Sequence, residues 1–405
     1  MSVKITDVKT TLLTGPFGND PYLLLCRKRR SAALIEIITD SDLVGIGETY
    51  AGYFCPELVP PAVDLYKPIL LGRTVDNIDQ AWQDMYHCEN FWGRVGLGPA
   101  ILSGIEAALW DLKGKITGLP VYELLGGRKH DCLLGYATGG PSVYPQDQLA
   151  AQVDHYLSLG FNAFKIGASC WQEGGHVAPR GLSATVDFEA DKLQFLRHHV
   201  GNDIEILMDA HMGNSLADVW DLTTAQAVAK AIEPFNLFLF EEPLHYTNPW
   251  GYSELCKTTN IPIAGGECLT PTYEWQVYVE RDCFDIGQPD GAFSGGLSEF
   301  MKIASMLSAQ GRKLATHCNS AGVGLMQNIH CGFAAENTVI LEIMPDYGPM
   351  HSKMMGDSFI FRNGMVYPPE KPGLGVELTD EIKHRFPFVP GSGEFNDVPG
   401  KILTE

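Results

Sequence analysis

No stretch of this sequence approaches the roughly 18 consecutive apolar residues that a membrane-crossing helix needs. Its opening residues, M-S-V-K-I-T-D-V-K-T-T-L-L, alternate as a strand does and carry neither the apolar core nor the cleavage site of a secretory signal. The expectation is a soluble, cytoplasmic protein with no membrane partner. Positive charge is scarce: 29 Lys and Arg stand against 49 Asp and Glu, a formal net charge of -20. Such a balance repels a nucleic-acid backbone, and it means that an anionic small substrate would need a cation in its site. The ten cysteines form no C-x-x-C pair and no regular spacing, so they read as reduced core thiols, not as a disulfide framework. Low-complexity segments are also missing. With 45% apolar residues in 405, the chain has enough hydrophobic material for a barrel and a smaller unit.

What the sequence does contain is a series of short apolar runs, each closed by an ionisable residue. Ile204 to His211 reads I-E-I-L-M-D-A-H: an apolar run typical of a buried parallel strand stops at Asp209, with His211 two residues on. The pattern recurs in L-F-L-F-E to Glu241, I-P-I-A-G-G-E to Glu267, D-I-G-Q-P-D to Asp290, R-K-L-A-T-H to His317 and T-V-I-L-E to Glu342. From Asp209 these ends are 32, 26, 23, 27 and 25 residues apart, each interval holding one helix and two short loops. A strand interior repels ionisable groups, whereas the carboxyl rim of a parallel barrel collects them.

Ahead of the barrel, residues 3 to 13 and 32 to 38 read as strands, and the turn T-D-S-D-L followed by G-I-G-E completes a meander that delivers Glu48. Pro60 to Leu71, Ile78 to Met85 and Ala100 to Lys115 have helical spacing. Strands followed by helices imply a separate α+β unit, residues 1–130, before a barrel over 131–345. Within the barrel, Gln152 to Leu159 reads as a helix and Ala163 to Ile166 as strand two, bearing Lys165. The Gly-rich stretch that follows, to about residue 185, is longer than βα connections usually are and has the length of a lid. After Glu342 the chain is expected to form a hairpin around Asn363-Gly364 and then to wrap the surface.

Asp209, Glu241 and Glu267 close three successive strands, so their carboxylates should converge at the barrel mouth. Three oxygen ligands from separate strands suit a hard divalent cation such as Mg²⁺. The plainer alternative for each is an N-cap of the following helix. Taken together, M-D-A-H, F-E-E-P-L, G-G-E-C, Q-P-D and T-H, preceded by A-L-W-D-L-K-G-K and L-L-G-G, resemble the enolase superfamily in its mandelate racemase-like branch. The resemblance spans almost the whole chain. It implies an α/β fold, a (β/α)₇β modified TIM barrel, with an α+β capping domain that the C-terminal segment 346–405 completes. It also implies Mg²⁺ on Asp209, Glu241 and Glu267, removal of a proton α to a carboxylate, and an enediolate intermediate.

Further roles follow from the same resemblance. His317 with Asp290 would be the general base and its orienting partner, and Glu342 would hydrogen-bond the substrate carboxylate or enediolate. Many relatives carry Lys-x-Lys at the end of strand two, the second lysine being a base on the opposite face. Here the sequence is Lys165-Ile166-Gly167, so racemisation by two opposed bases is disfavoured while Lys165 can still neutralise the substrate. His211 stands where many relatives have asparagine, and galactonate dehydratase-like members have a histidine that protonates a departing β-hydroxyl. The alternative for His211 is support of the metal site. The leading expectation is therefore a lyase that dehydrates a sugar acid to a 2-keto-3-deoxy acid. An epimerase or cycloisomerase using the same base is the alternative. A metal-dependent barrel hydrolase is set aside because its strand-one histidine pair is missing from L-L-G-Y-A-T, and a catalytically silent scaffold is disfavoured by the intact ligand set. Glu48, Tyr50, Tyr53, Trp92, Arg94, His176 and Arg180, on loops that line the distal pocket in the family, are candidates to read the sugar. Homo-oligomerisation is implied by the resemblance alone.

Overall fold

The apolar runs become strands of a closed barrel in the computed structural model, which describes residues 3–25, 28–138, 142–172, 175–213, 219–320 and 322–393. Eight parallel strands follow one another around it: Leu133–Ala137, Ala163–Gly167, Glu205–Asp209, Leu239–Glu241, Ile263–Gly265, Ile286–Gly287, Lys313–Ala315 and Thr338–Ile343. The eighth pairs with the first, Leu341 opposite Gly135 and Glu342 opposite Tyr136, so no edge remains between them. One helix lies between each consecutive pair of strands, from Gln146–Ser158 to Val323–Ala334, which is the (β/α)₇β order. One inward side chain per strand, Tyr136, Ala163, Leu207, Leu239, Ala264, Ile286, Ala315 and Ile340, fills the interior as a single apolar cluster. This layer is the floor on which the polar rim rests.

The N-terminal unit is an antiparallel sheet of Ile5–Pro16, Arg29–Thr39 and Val44–Thr49. Its third strand reads V-G-I-G-E-T, and both glycines face the long helix Leu97–Thr117. A Cβ on Gly45 would fall 2.1 Å from the Ala108 carbonyl oxygen, and one on Gly47 2.1 Å from that of Gly104. Only glycine allows that approach. By the two-residue alternation of a strand, Ile46 and Glu48 face the other way, toward the barrel. The helix is buried almost all round and ends in left-handed Gly118. Its Glu106 carboxylate accepts from Leu297 N (2.8 Å) and Ser298 N (3.1 Å), capping a barrel helix and tying the two units together.

Two expectations change in detail. The stretch after strand two is not a featureless loop: Cys170–Gln172 and Gly175–Val177 form a small antiparallel hairpin, pinned by Trp171 to Val143 beyond strand one. Residues 173 and 174 of the expected lid lie outside the described residues. The C-terminal segment serves both units. Helix Gly348–Met355 packs on the first cap strand, and Val389 and Gly391 bind Thr14 and Glu57 of the cap. The hairpin Ile360–Arg362 with Met365–Tyr367, turned by Asn363 and Gly364 at positive φ, instead adds to the first barrel strand through Met365 and Leu134. Residues 394–405 of this segment lie outside the described residues. We propose a division of the chain near residues 130 and 345, with the last part shared between cap and barrel.

Candidate active site

Two residues beyond the apolar layer, on the same inward face, stand Thr138, Lys165, Asp209, Glu241, Gly266, Gln288, His317 and Glu342. Period-two alternation thus converts one hydrophobic layer into one of mostly polar groups at the barrel mouth. Lys165 lies in the midst of the acids. Its Nζ is 3.0 Å from Asp209 Oδ2, 2.9 Å from Glu241 Oε2 and 3.0 Å from Glu342 Oε1. Burial alone would strip its proton, but these carboxylates outweigh that and hold the ammonium well above the usual lysine range. Glu342 responds in kind. Burial pushes it up, yet Lys165, His317, the Cys318 N–H at 2.6 Å and the Thr138 hydroxyl bring it down to about 2. Glu241 moves the other way, raised well above its ordinary value by burial and by Asp209 beside it.

Glu267 reaches the same place from just past strand five. One oxygen each of Asp209, Glu241 and Glu267 lie within 4.8 Å of one another. Asp209 Oδ2 is buried and makes no well-aligned hydrogen bond among the described residues, although Lys165 Nζ and His211 Nε2 both approach it to 3.0 Å. Three carboxylate oxygens converging from separate strands, here drawn toward the Lys165 ammonium, fit a divalent cation by the chemistry of the donor set. His211 is held at φ 52, a left-handed conformation rare for a side chain of its size. That geometry lets its own N–H bind Asp209 Oδ1 at 2.9 Å while its ring, 55% exposed, touches the other oxygen.

Across the mouth, His317 Nδ1 is 2.9 Å from Asp290 Oδ2, and His317 Nε2 points at the acidic cluster, 3.5 Å from Glu267 Oε2. Asp290 is fixed in turn: its Oδ1 accepts from Ala292 N (2.7 Å) and Asn328 Nδ2 (2.8 Å). Burial would lower the His317 pKa, but Glu267, Asp290 and Glu342 outweigh it and raise the ring to about 10.

This arrangement can now be set beside known proteins. The family described as enolase C-terminal domain-like matches residues 148–382, and the mandelate racemase / muconate lactonizing enzyme N-terminal domain matches residues 19–126. The chain belongs to the enolase superfamily. It is an enzyme. A relative from Saccharolobus solfataricus named arabinonate dehydratase is 30% identical over 388 residues, covering 93% of this chain and 98% of its own. One from Pectobacterium atrosepticum named D-galactonate dehydratase is 31% identical over 360 residues, covering 86% of this chain and 89% of its own. Among solved structures, the 3,6-anhydro-D-galactonate cycloisomerase from Zobellia galactanivorans superposes with a TM-score of 0.80 at 26% identity, over 95% of this chain and 99% of that one.

The other sequence candidates divide. Tyr50 of the cap lies 5.6 Å from His317, ring centre to ring centre, and stacks on Tyr53 at 5.3 Å, so the cap roofs the His317–Asp290 pair with aromatic rings. Glu48 is buried beside them. Its Oε2 accepts from Gly324 N at 2.7 Å, and burial raises the carboxyl to about 8. Trp92 is 59% exposed and Arg94 is exposed, its carbonyl held by Tyr86 and Tyr273. His176 bonds Ser169 Oγ at 2.6 Å and Arg180 is exposed. No described hydrogen bond or ion pair joins these four to the rim. Sequence reading missed the buried pair Lys192 and Glu189. Lys192 Nζ donates to Gly167 O (2.8 Å) and Ser169 O (3.0 Å), and Glu189 accepts from Ser169 N (2.6 Å), fixing the end of the strand that carries Lys165. It also missed Glu242, buried at φ 42 behind Glu267. Glu242 was visible only as the second Glu of F-E-E-P, where nothing in the sequence signals the positive φ.

Proposed function

We propose that the enzyme dehydrates a sugar acid, an aldonate or a close relative, to a 2-keto-3-deoxy acid. The observation that carries the reading is the opposition of two histidines across one acidic cluster: His317 with Asp290 on one side, His211 against Asp209 on the other. Asp209, Glu241 and Glu267 would hold Mg²⁺, which when bound supplies Lewis-acid charge for the substrate carboxylate. Lys165, a permanent cation in the layer, adds a fixed positive charge for the same group, answering the problem that a -20 protein poses to an anion. In its neutral form His317 Nε2 takes the α-proton while Asp290 holds Nδ1–H, fixing the tautomer. With the ring raised to about 10 chiefly by Glu267, a cation held on that carboxylate would offset its pull and favour the neutral form. Glu342 would hydrogen-bond the carboxylate end of the enediolate once it takes up a proton, since its ionised form only accepts. His211, exposed toward the mouth, gives a proton to the departing β-hydroxyl, and water leaves.

The relatives named arabinonate and D-galactonate dehydratase support the substrate class. The cycloisomerase similarity supports a second reading, isomerisation of a related acid with the same base. Two-base epimerisation is disfavoured because Gly167 stands where the opposed lysine would be. Incubating the protein and Mg²⁺ with a panel of aldonates, and assaying the keto-deoxy product, tests the proposal. Turnover of none of the panel would overturn it.

A further inference from the structure

Gln288 is a fully buried member of the rim layer, and neither its Oε1 nor its Nε2 has a hydrogen-bond partner among the described residues. Its direction follows from its strand. Ile286 lies in the apolar layer inside the barrel. A Cβ on Gly287 would meet Leu307 at 2.5 Å and Trp275 at 3.0 Å, both on outer helices, so residue 287 faces out. Gln288 N donates to Gly265 O at 2.9 Å, continuing the ladder one residue further. The side chain of 288 therefore faces in, at the level of Lys165, Glu241 and His317. Turning the amide over changes nothing, because both of its ends are unmatched. A buried carboxamide with donor and acceptor both idle is rare and costly in a native protein. Here the neighbouring carboxylate, Asp290, has every partner it needs.

We propose that Gln288 is a substrate-binding residue whose carboxamide is completed by the ligand. One group that donates and one that accepts, side by side, match a carbon chain bearing a hydroxyl next to a carboxylate. The hydroxyl of a 2-hydroxy acid donates to Oε1, and a carboxylate or second hydroxyl oxygen accepts from Nε2. A metal ion would engage only the oxygen and a phosphate only the N–H, so neither satisfies the pair. The inference rests on the sugar-acid reading for the ligand's identity, and on the geometry alone for Gln288's readiness to bind.

The test is Gln288→Met, which keeps the volume and removes both polar ends. In the protein without substrate no hydrogen bond is lost, so the melting temperature is expected at or above that of the parent chain, with an unchanged response to Mg²⁺. A fall of several degrees would show that the amide is already satisfied, by water or by the protein, and would overturn the proposal. With D-galactonate or an arabinonate as probe, kcat/KM is expected to drop about 10- to 100-fold, with loss of the ligand-induced thermal shift. Activity within about twofold of the parent, at the scale where one hydrogen bond is felt, would also overturn it. Should the parent chain respond to no sugar acid, the functional proposal fails, while a fall in the substrate-free melting temperature would still overturn the readiness of Gln288 to bind.

Discussion

Asp290 offers its two oxygens to different partners, and that division makes its role testable at a single atom. Oδ1 takes two N–H donors, from Ala292 and Asn328, so an asparagine at this position would keep its oxygen there and turn its NH₂ toward His317. His317 Nδ1 would then have to accept, leaving the proton on Nε2, where the base must be free. Asp290→Asn is expected to fold normally and to lose about 10²- to 10⁴-fold in kcat/KM, the scale of a general-base contribution. Kinetics alongside circular dichroism check this, and near-normal turnover would place the base elsewhere. His211 gives the complementary case. At φ 52 it occupies a conformation that asparagine adopts more readily, so His211→Asn should not lower the melting temperature. Dehydration should still fall about 10²- to 10⁴-fold if the ring is the acid. Restoration by excess Mg²⁺ would instead make His211 a support for Asp209.

The elements that aim these residues were legible to different depths. The runs ending at Asp209, Glu241 and His317 were readable because a buried parallel strand is continuously apolar and only its end tolerates a charge. Their lengths were not: the strand before Glu267 is only Ile263–Gly265, and the ladder alone sets where it stops. Gln288 was within reach, since parity from Ile286 puts it on the inner face, but its amide carries no charge to draw attention. The hairpin at 170–177 and the pairing of Met365 with Leu134 depend on partners distant in sequence, which local pattern does not encode. Cap and barrel meet at Glu48, whose backbone N–H binds Gln327 Oε1 at 2.7 Å and whose carboxyl binds Gly324 N. Its pKa rises from 4.5 to about 8 through burial. Between those values the folded state keeps a proton that the unfolded chain has lost, so this group's effect is to reduce stability as pH rises through the window. Glu48→Gln removes the penalty. It should melt above the parent at about pH 8.5 and level with it near pH 4.5. A difference independent of pH would mean that Glu48 does not titrate there.

For the whole molecule, the acidic balance and the site are one problem. Four carboxylates, Asp209, Glu241, Glu267 and Glu342, crowd the barrel mouth of a protein whose net charge is already -20, and burial with Asp209 at its side drives Glu241 toward its protonated form. A divalent cation that binds only the folded state stabilises it by mass action, about 2.7 kcal/mol at a hundredfold excess over Kd. Mg²⁺ is therefore expected to raise the melting temperature by a few degrees and a chelator to reverse the rise. Glu241→Gln should abolish the response, and a variant that still responds would remove Glu241 from the ligand set.

The central claim is that His317 takes the α-proton and that the adjacent hydroxyl then leaves. The most direct measurement is turnover of a responsive aldonate in D₂O, followed by NMR. The account predicts a 2-keto-3-deoxy product carrying one solvent deuteron at C3, and neither product nor exchange with His317→Asn. Recovery of an isomeric acid labelled at C2, with no keto-deoxy product, would contradict it.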